Sequence, residues 1–64
     1  MNDDNVLKSI KVMIIDDSNT IRKSAEMFLR SSGYEVILAE DGFEAMSKIV
    51  DNQPDIIFID IVMP

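Results

Sequence analysis

Cysteine, histidine and tryptophan are all absent from this 64-residue sequence. Without cysteine there is no disulfide and no thiolate metal site; without histidine the commonest zinc ligand and the usual general base are missing. Any chemistry must therefore run on carboxylates, hydroxyls, lysine and arginine. Glycine and proline occur twice each, and no segment is of low complexity. No apolar run approaches the roughly 18 residues that span a bilayer, and the opening MNDDNVLK has neither the basic start nor the apolar core of a signal peptide. The expected location is cytoplasmic, with no membrane partner. Bases are scarce as well, 6 against 12 acids for a net charge of −6, and none cluster beyond Arg22-Lys23. Attraction to the phosphate backbone of a nucleic acid is not expected on that balance, whereas a cation or a basic protein surface suits it.

What is present is a globular composition, 47% hydrophobic and 28% charged, in a pattern that alternates strand and helix. Residues 1–9 are polar and unpatterned and are expected to form a flexible tail, leaving 10–64 as one unit. Lys11 to Ile15, KVMII, is a short apolar run rich in β-branched residues and stopped by Asp16-Asp17-Ser18, as in a strand buried on both faces. Ser18 and Asn19 are good helix caps. Ile21, Ala25, Phe28 and Leu29 then make one apolar stripe ended by Gly33, which predicts a helix over 19–32. Tyr34 to Ala39 has strand character. Asp41 and Glu44 have the spacing of a capping box, and Ala45, Met46, Ile49 and Val50 give a second stripe that closes near Asn52, before Pro54. DIIFID, 55–60, is the third strand.

The order β-α-β-α-β, with connections of helical length, implies a parallel sheet with helices packed on it. Parallel crossovers are right-handed in about 98% of cases. If strands two and three lie on opposite sides of strand one, the helices cover opposite faces, and a switch point opens between strands one and three at their carboxyl ends, where ligands of open α/β sheets bind. Asp16 and Asp17 end strand one and Asp60 ends strand three, so this topology places three carboxylates in one crevice. Each pair at 4 Å repels by about 4 kcal/mol at an effective dielectric of 20. A divalent cation resolves that conflict, and an all-oxygen donor set favours Mg²⁺, Mn²⁺ or Ca²⁺. Solvated loop acids are a sufficient account of Asp16-Asp17 taken alone. Asp60 is different, because it interrupts a segment otherwise fit for burial. Arg22 and Lys23 also stand out, since cations in the first turn of a helix oppose its macrodipole. Solvated surface accounts for both; the alternative is that one of them offsets the acidic crevice.

IIDDSNTIR, AEDGFEA and FIDIVMP together resemble the receiver domain of two-component response regulators, over Lys11 to Pro64. Within that family they are most similar to single-domain regulators of the chemotaxis and twitching-motility (type IV pilus) kind. The resemblance implies an α/β fold, the first half of a flavodoxin-like doubly wound parallel sheet with strand order 2-1-3, truncated before strand four. It implies that Asp60 is the phosphoacceptor for a histidine kinase, that Asp17 binds Mg²⁺ (or Mn²⁺) directly with Asp16 helping directly or through water, and that the Val62 backbone carbonyl completes the metal set. Met63-Pro64 would begin the turn that shapes the site. The module accepts a phosphoryl group without independent turnover and is not expected to be an enzyme.

A receiver continues for about as many residues again, with a fourth strand ending in Ser or Thr and a fifth ending in Lys. Thr20 and Lys48 lie on helices and do not supply those groups. A chain of this length buries only about 60% of its unfolded surface, and strand three would be an uncovered apolar edge. The chain is therefore expected to self-associate, as a homodimer or higher assembly through that edge. An inert self-associating fragment with a vestigial acidic site is the alternative function. An aspartyl-nucleophile phosphohydrolase is a weaker one, because such enzymes want a second Asp where Val62 stands. A mononucleotide- or flavin-binding half fold is weaker still, since Asp16-Asp17-Ser18 replaces the Gly-rich turn.

Overall fold

The structure, a computed structural model, describes residues 9–60. Three strands and two helices follow in the order β1 (Lys11–Ile15), α1 (Asn19–Ser31), β2 (Glu35–Ala39), α2 (Gly42–Asn52) and β3 (Ile56–Ile59). The strands form one parallel sheet in the order β2-β1-β3. β1 runs in register with both neighbours, Val12 opposite Val36 and Ile56, and Ile14 opposite Leu38 and Phe58.

The central strand is buried because it is central. Val12, Met13 and Ile14 are all removed from solvent, Met13 completely at 0% exposure. Alternation of side chains along β1 divides the core in two. Val12, Ile14 and Val36 pack with Ala25 and Leu29 of α1, while Met13 and Ala39 pack with Ala45 and Ile49 of α2. The two helices therefore cover opposite faces, as right-handed crossovers to strands on either side of β1 require.

Local chemistry sets the helix ends. The Ser18 hydroxyl accepts from the Ile21 amide at 3.2 Å to cap α1. At the other end Gly33 adopts φ +98, where a side chain would be strained, and its amide and that of Tyr34 return to the carbonyls of Arg30 and Leu29. The Asp41 carboxylate accepts from the Glu44 amide at 2.9 Å, and Glu44 Oε1 accepts in return from the Glu40 amide at 2.6 Å. The capping box is thus present, with the return bond made one residue before the cap.

Three sequence expectations shift. Tyr34 belongs to the turn after α1, and strand three is shorter than DIIFID because Asp55 and Asp60 sit just outside it. The predicted apolar stripes are only half used: Ala25 and Leu29 reach the core from α1, and Ala45 and Ile49 from α2, but Phe28 and Met46 are each 70% exposed. The reason is common to both. α1 packs over β1 and β2 and α2 packs over β2, so all four residues of β3 stand exposed, Phe58 at 54%. On the α1 side, Phe28 borders an open groove that it shares with Phe58 and Ile59. The expected tail lies outside the described residues apart from Ser9.

Candidate functional site

Asp16 follows β1 directly and remains paired to the sheet, its amide donating to the Ala39 carbonyl at 3.1 Å. It is the one buried charged residue, 3% exposed, among those described. Its carboxylate Oδ1 accepts from the Ser18 amide at 2.8 Å, an Asx-type turn that redirects the chain from strand to helix. The Arg22 guanidinium reaches back from the first turn of α1 and donates to the Asp16 main-chain carbonyl. Asp17 is exposed. Asp60 follows β3, and its amide extends the β1–β3 ladder by donating to the Ile15 carbonyl at 3.0 Å.

These three aspartates line one pocket of about 290 Å³ at the carboxyl ends of β1 and β3, together with Ile15, Glu40, Asp41 and Gly42. The switch point expected from topology is thus where the strand order opens it. Within it, a side-chain hydrogen bond to Asp16 raises the Asp60 pKa above the ordinary carboxylate value. The Asp16 charge, partial desolvation and, least, the Asp17 charge act in the same direction. Asp60 is a solvent-facing carboxyl whose ionised form is disfavoured by its neighbours.

Among the described residues no three acidic side chains stand close enough to hold an ion by themselves. The donor chemistry nonetheless suits a hard cation. All the side-chain groups offered are carboxylate oxygens, Asp16 and Asp60 are a like-charged couple in contact, and the pocket has room for water. Mg²⁺ keeps several waters and needs only one or two carboxylates from the protein. Val62, whose carbonyl was expected to complete the set, lies outside the described residues, as do Met63 and Pro64.

Glu40 and Asp41 are pocket residues that the sequence did not single out for the site. The signal available was their position after β2, whose carboxyl end adjoins that of β1 in a parallel sheet. Thr20 and Lys48 are kept away from it as expected. Thr20 lies on α1, and the Lys48 ammonium donates to the Leu38 carbonyl at 2.7 Å and pairs with Glu44 at 3.1 Å.

An acidic pocket at the switch point of a parallel sheet in the order 2-1-3 defines a class, and sequence comparison gives the same class. Residues 12–64 match the response regulator receiver domain, and the chain belongs to that family. It is similar to protein PilG of Pseudomonas aeruginosa, with 58% identity over 55 residues, 86% of this chain and 41% of PilG. The response regulator MprA of Mycobacterium tuberculosis is 38% identical over 56 residues, 88% of this chain and 24% of MprA. Among solved structures, the chemotaxis protein CheY4 of Vibrio cholerae, crystallised at low pH, superposes with a TM-score of 0.84 at 40% identity. That match covers 89% of this chain and 48% of CheY4. The chain therefore spans less than half the length of each of these relatives.

Proposed function

We propose that the chain is the acceptor half of a phosphorelay receiver, phosphorylated on Asp60 by a histidine kinase with Mg²⁺ present. The observation that carries this reading is that Asp16, Asp17 and Asp60 line one acidic pocket at the shared carboxyl end of β1 and β3. In the transfer, an Asp60 carboxylate oxygen forms a bond to phosphorus as the phosphorus–nitrogen bond of the donor breaks. The electron pair leaves with the imidazole, which takes up a proton. Asp60 must be ionised to attack, and the Asp16 side chain, which raises its pKa, opposes that ionisation until a cation offsets the repulsion. Asp16, Asp17 and Asp60, which share the pocket lining, are the side chains that would hold Mg²⁺, one or two directly and the rest through water, with the Val62 carbonyl as a further ligand. When bound, Mg²⁺ screens the incoming phosphoryl oxygens from the carboxylates. Asp16 is pinned through Oδ1 and its carbonyl, which leaves Oδ2 for the pocket. The reaction is a single acceptance without turnover, in a cytoplasmic setting.

The test is to incubate the protein with acetyl phosphate and Mg²⁺ and determine its mass. One added phosphoryl group, lost with chelator and absent from Asp60→Asn, is the expected result. An unmodified mass under conditions that modify a full-length relative would overturn the reading.

Exposure of the whole of β3 favours a second reading, in which this chain associates with itself through that edge as a homodimer or larger assembly. Beside the edge, Ile14, Ile21, Phe28 and Phe58 line an apolar groove of about 440 Å³. If phosphorylation is not retained, self-association with a vestigial acidic pocket is the function that remains.

A further inference from the structure

Arg22 occupies a position that helix energetics disfavour. It lies in the first turn of α1, where no acidic residue balances it and a cation opposes the macrodipole by about 0.3–1 kcal/mol. Its guanidinium does not extend to solvent to minimise that conflict. Nη1 donates to the Asp16 carbonyl six residues earlier, and Nη2 lies 3.3 Å from Asn19 Oδ1. No carboxylate pairs with it directly among the described residues. Lys23, the next residue, shares the unfavourable position but makes no hydrogen bond or ion pair among the described residues.

We infer that Arg22 is a positioning residue for the proposed metal and phosphoryl site, acting through the Asp16 peptide. The inference rests on the reading of the pocket given above. The turn from β1 to α1 must fix the directions of two consecutive carboxylates within three residues of strand. Ser18 holds the Asp16 side chain from one side, and Arg22 holds its carbonyl from the other. With both in place Asp16 cannot rotate about its backbone without breaking a hydrogen bond, so its carboxylate leaves the strand in a set direction. A guanidinium suits the task because its planar fork satisfies Asp16 and Asn19 at once in a fixed geometry, whereas the three donors of an ammonium rotate freely on a flexible stem. The pocket is thereby held ready for a cation by a cation that does not enter it: Arg22 is absent from the pocket lining.

Positioning and simple charge make opposite predictions, which allows a decisive test. Removing a positive charge near a cation site should tighten cation binding, whereas removing a clamp should loosen it. The measurement is Mg²⁺ titration of the whole chain by calorimetry and by amide chemical shifts, on the wild type, Arg22→Ala, Arg22→Lys and Lys23→Ala. Replacing a residue that orients a metal ligand costs roughly 10–100-fold in affinity, and Arg22→Ala should weaken Mg²⁺ binding by about tenfold, with the Asp17 and Ser18 amides broadened before metal is added. Arg22→Lys should recover part of the affinity, and Lys23→Ala should leave it equal or slightly tighter. Tighter binding in both Arg22→Ala and Lys23→Ala overturns positioning in favour of charge alone. Unchanged affinity in Arg22→Ala overturns any role, and if that variant unfolds, Arg22→Lys indistinguishable from the wild type does the same. Absence of Mg²⁺ binding by the wild type overturns the underlying reading of the pocket, an outcome separate from any ranking of the variants.

Discussion

Asp60 and Asp16, 44 positions apart in the chain, come together at the carboxyl ends of adjacent strands and line one pocket, where the Asp16 side chain holds the Asp60 pKa above its ordinary value. That shift gives a definite sign to the dependence of stability on pH. The folded-state pKa of Asp60 is raised, so the folded chain binds this proton more tightly than the unfolded chain does. That stabilisation is complete below the ordinary aspartate value, about pH 4, and is lost as pH rises through the higher folded value. Mg²⁺ should restore at neutral pH what ionisation removes. Thermal melts from about pH 4 to about pH 8 are expected to show a Mg²⁺-dependent rise in melting temperature that grows with pH. In Asp60→Asn the metal-free protein should be the more stable at neutral pH, and its response to Mg²⁺ should be reduced.

Glu44 should titrate with the opposite sign. The Glu40 amide, first, and the Lys48 ammonium hold its pKa below the ordinary value, so its contribution is present above the unfolded pKa and fades as pH falls through the folded one. Glu44→Gln should therefore flatten the acid side of the stability profile while leaving the Asp60 effect intact. Its partner in the capping box offers a larger handle: Asp41→Ala should cost about 1 kcal/mol, measured by urea denaturation, with early loss of amide protection in the first turn of α2.

Met13 fills the α2 side of the core and is fully buried. Met13→Ala leaves a cavity that the sheet cannot collapse around, at a cost of about 2–5 kcal/mol. For a chain this short such a loss is comparable with the whole of folding stability. Circular dichroism should show the variant largely unfolded at room temperature, where Met27→Ala, on an exposed position of α1, should be close to neutral.

β3 presents its exposed edge and both faces at once. Light scattering across a range of concentrations is expected to show association of the wild-type chain. Phe58→Lys places a charge on that strand, a device that blunts strand edges, and should shift the protein towards monomer. A wild-type chain that stays monomeric and melts cooperatively at micromolar concentration would count against association through β3.

The sequence by itself determined the order of elements, because strand and helix periodicities differ and the breaks carry their own chemistry: Ser18 and Asp41 as caps, Gly33 as a helix stop. It also marked Asp16, Asp17 and Asp60 as a set, since a parallel sheet sends all its strand ends the same way. What it could not decide was how far each apolar stripe would be used. Met46 and Val50 carry the same pattern as Ala45 and Ile49, and only the placement of α2 over β2 separates exposed from buried. Nor could it decide that Glu40 and Asp41 border the pocket, or which of two adjacent cations reaches back to the Asp16 carbonyl. Periodicity is local and fixes which face of an element is apolar; whether that face finds a partner, and which way Arg22 reaches, depends on contacts between residues far apart in the chain, and those exist only once the sheet has formed.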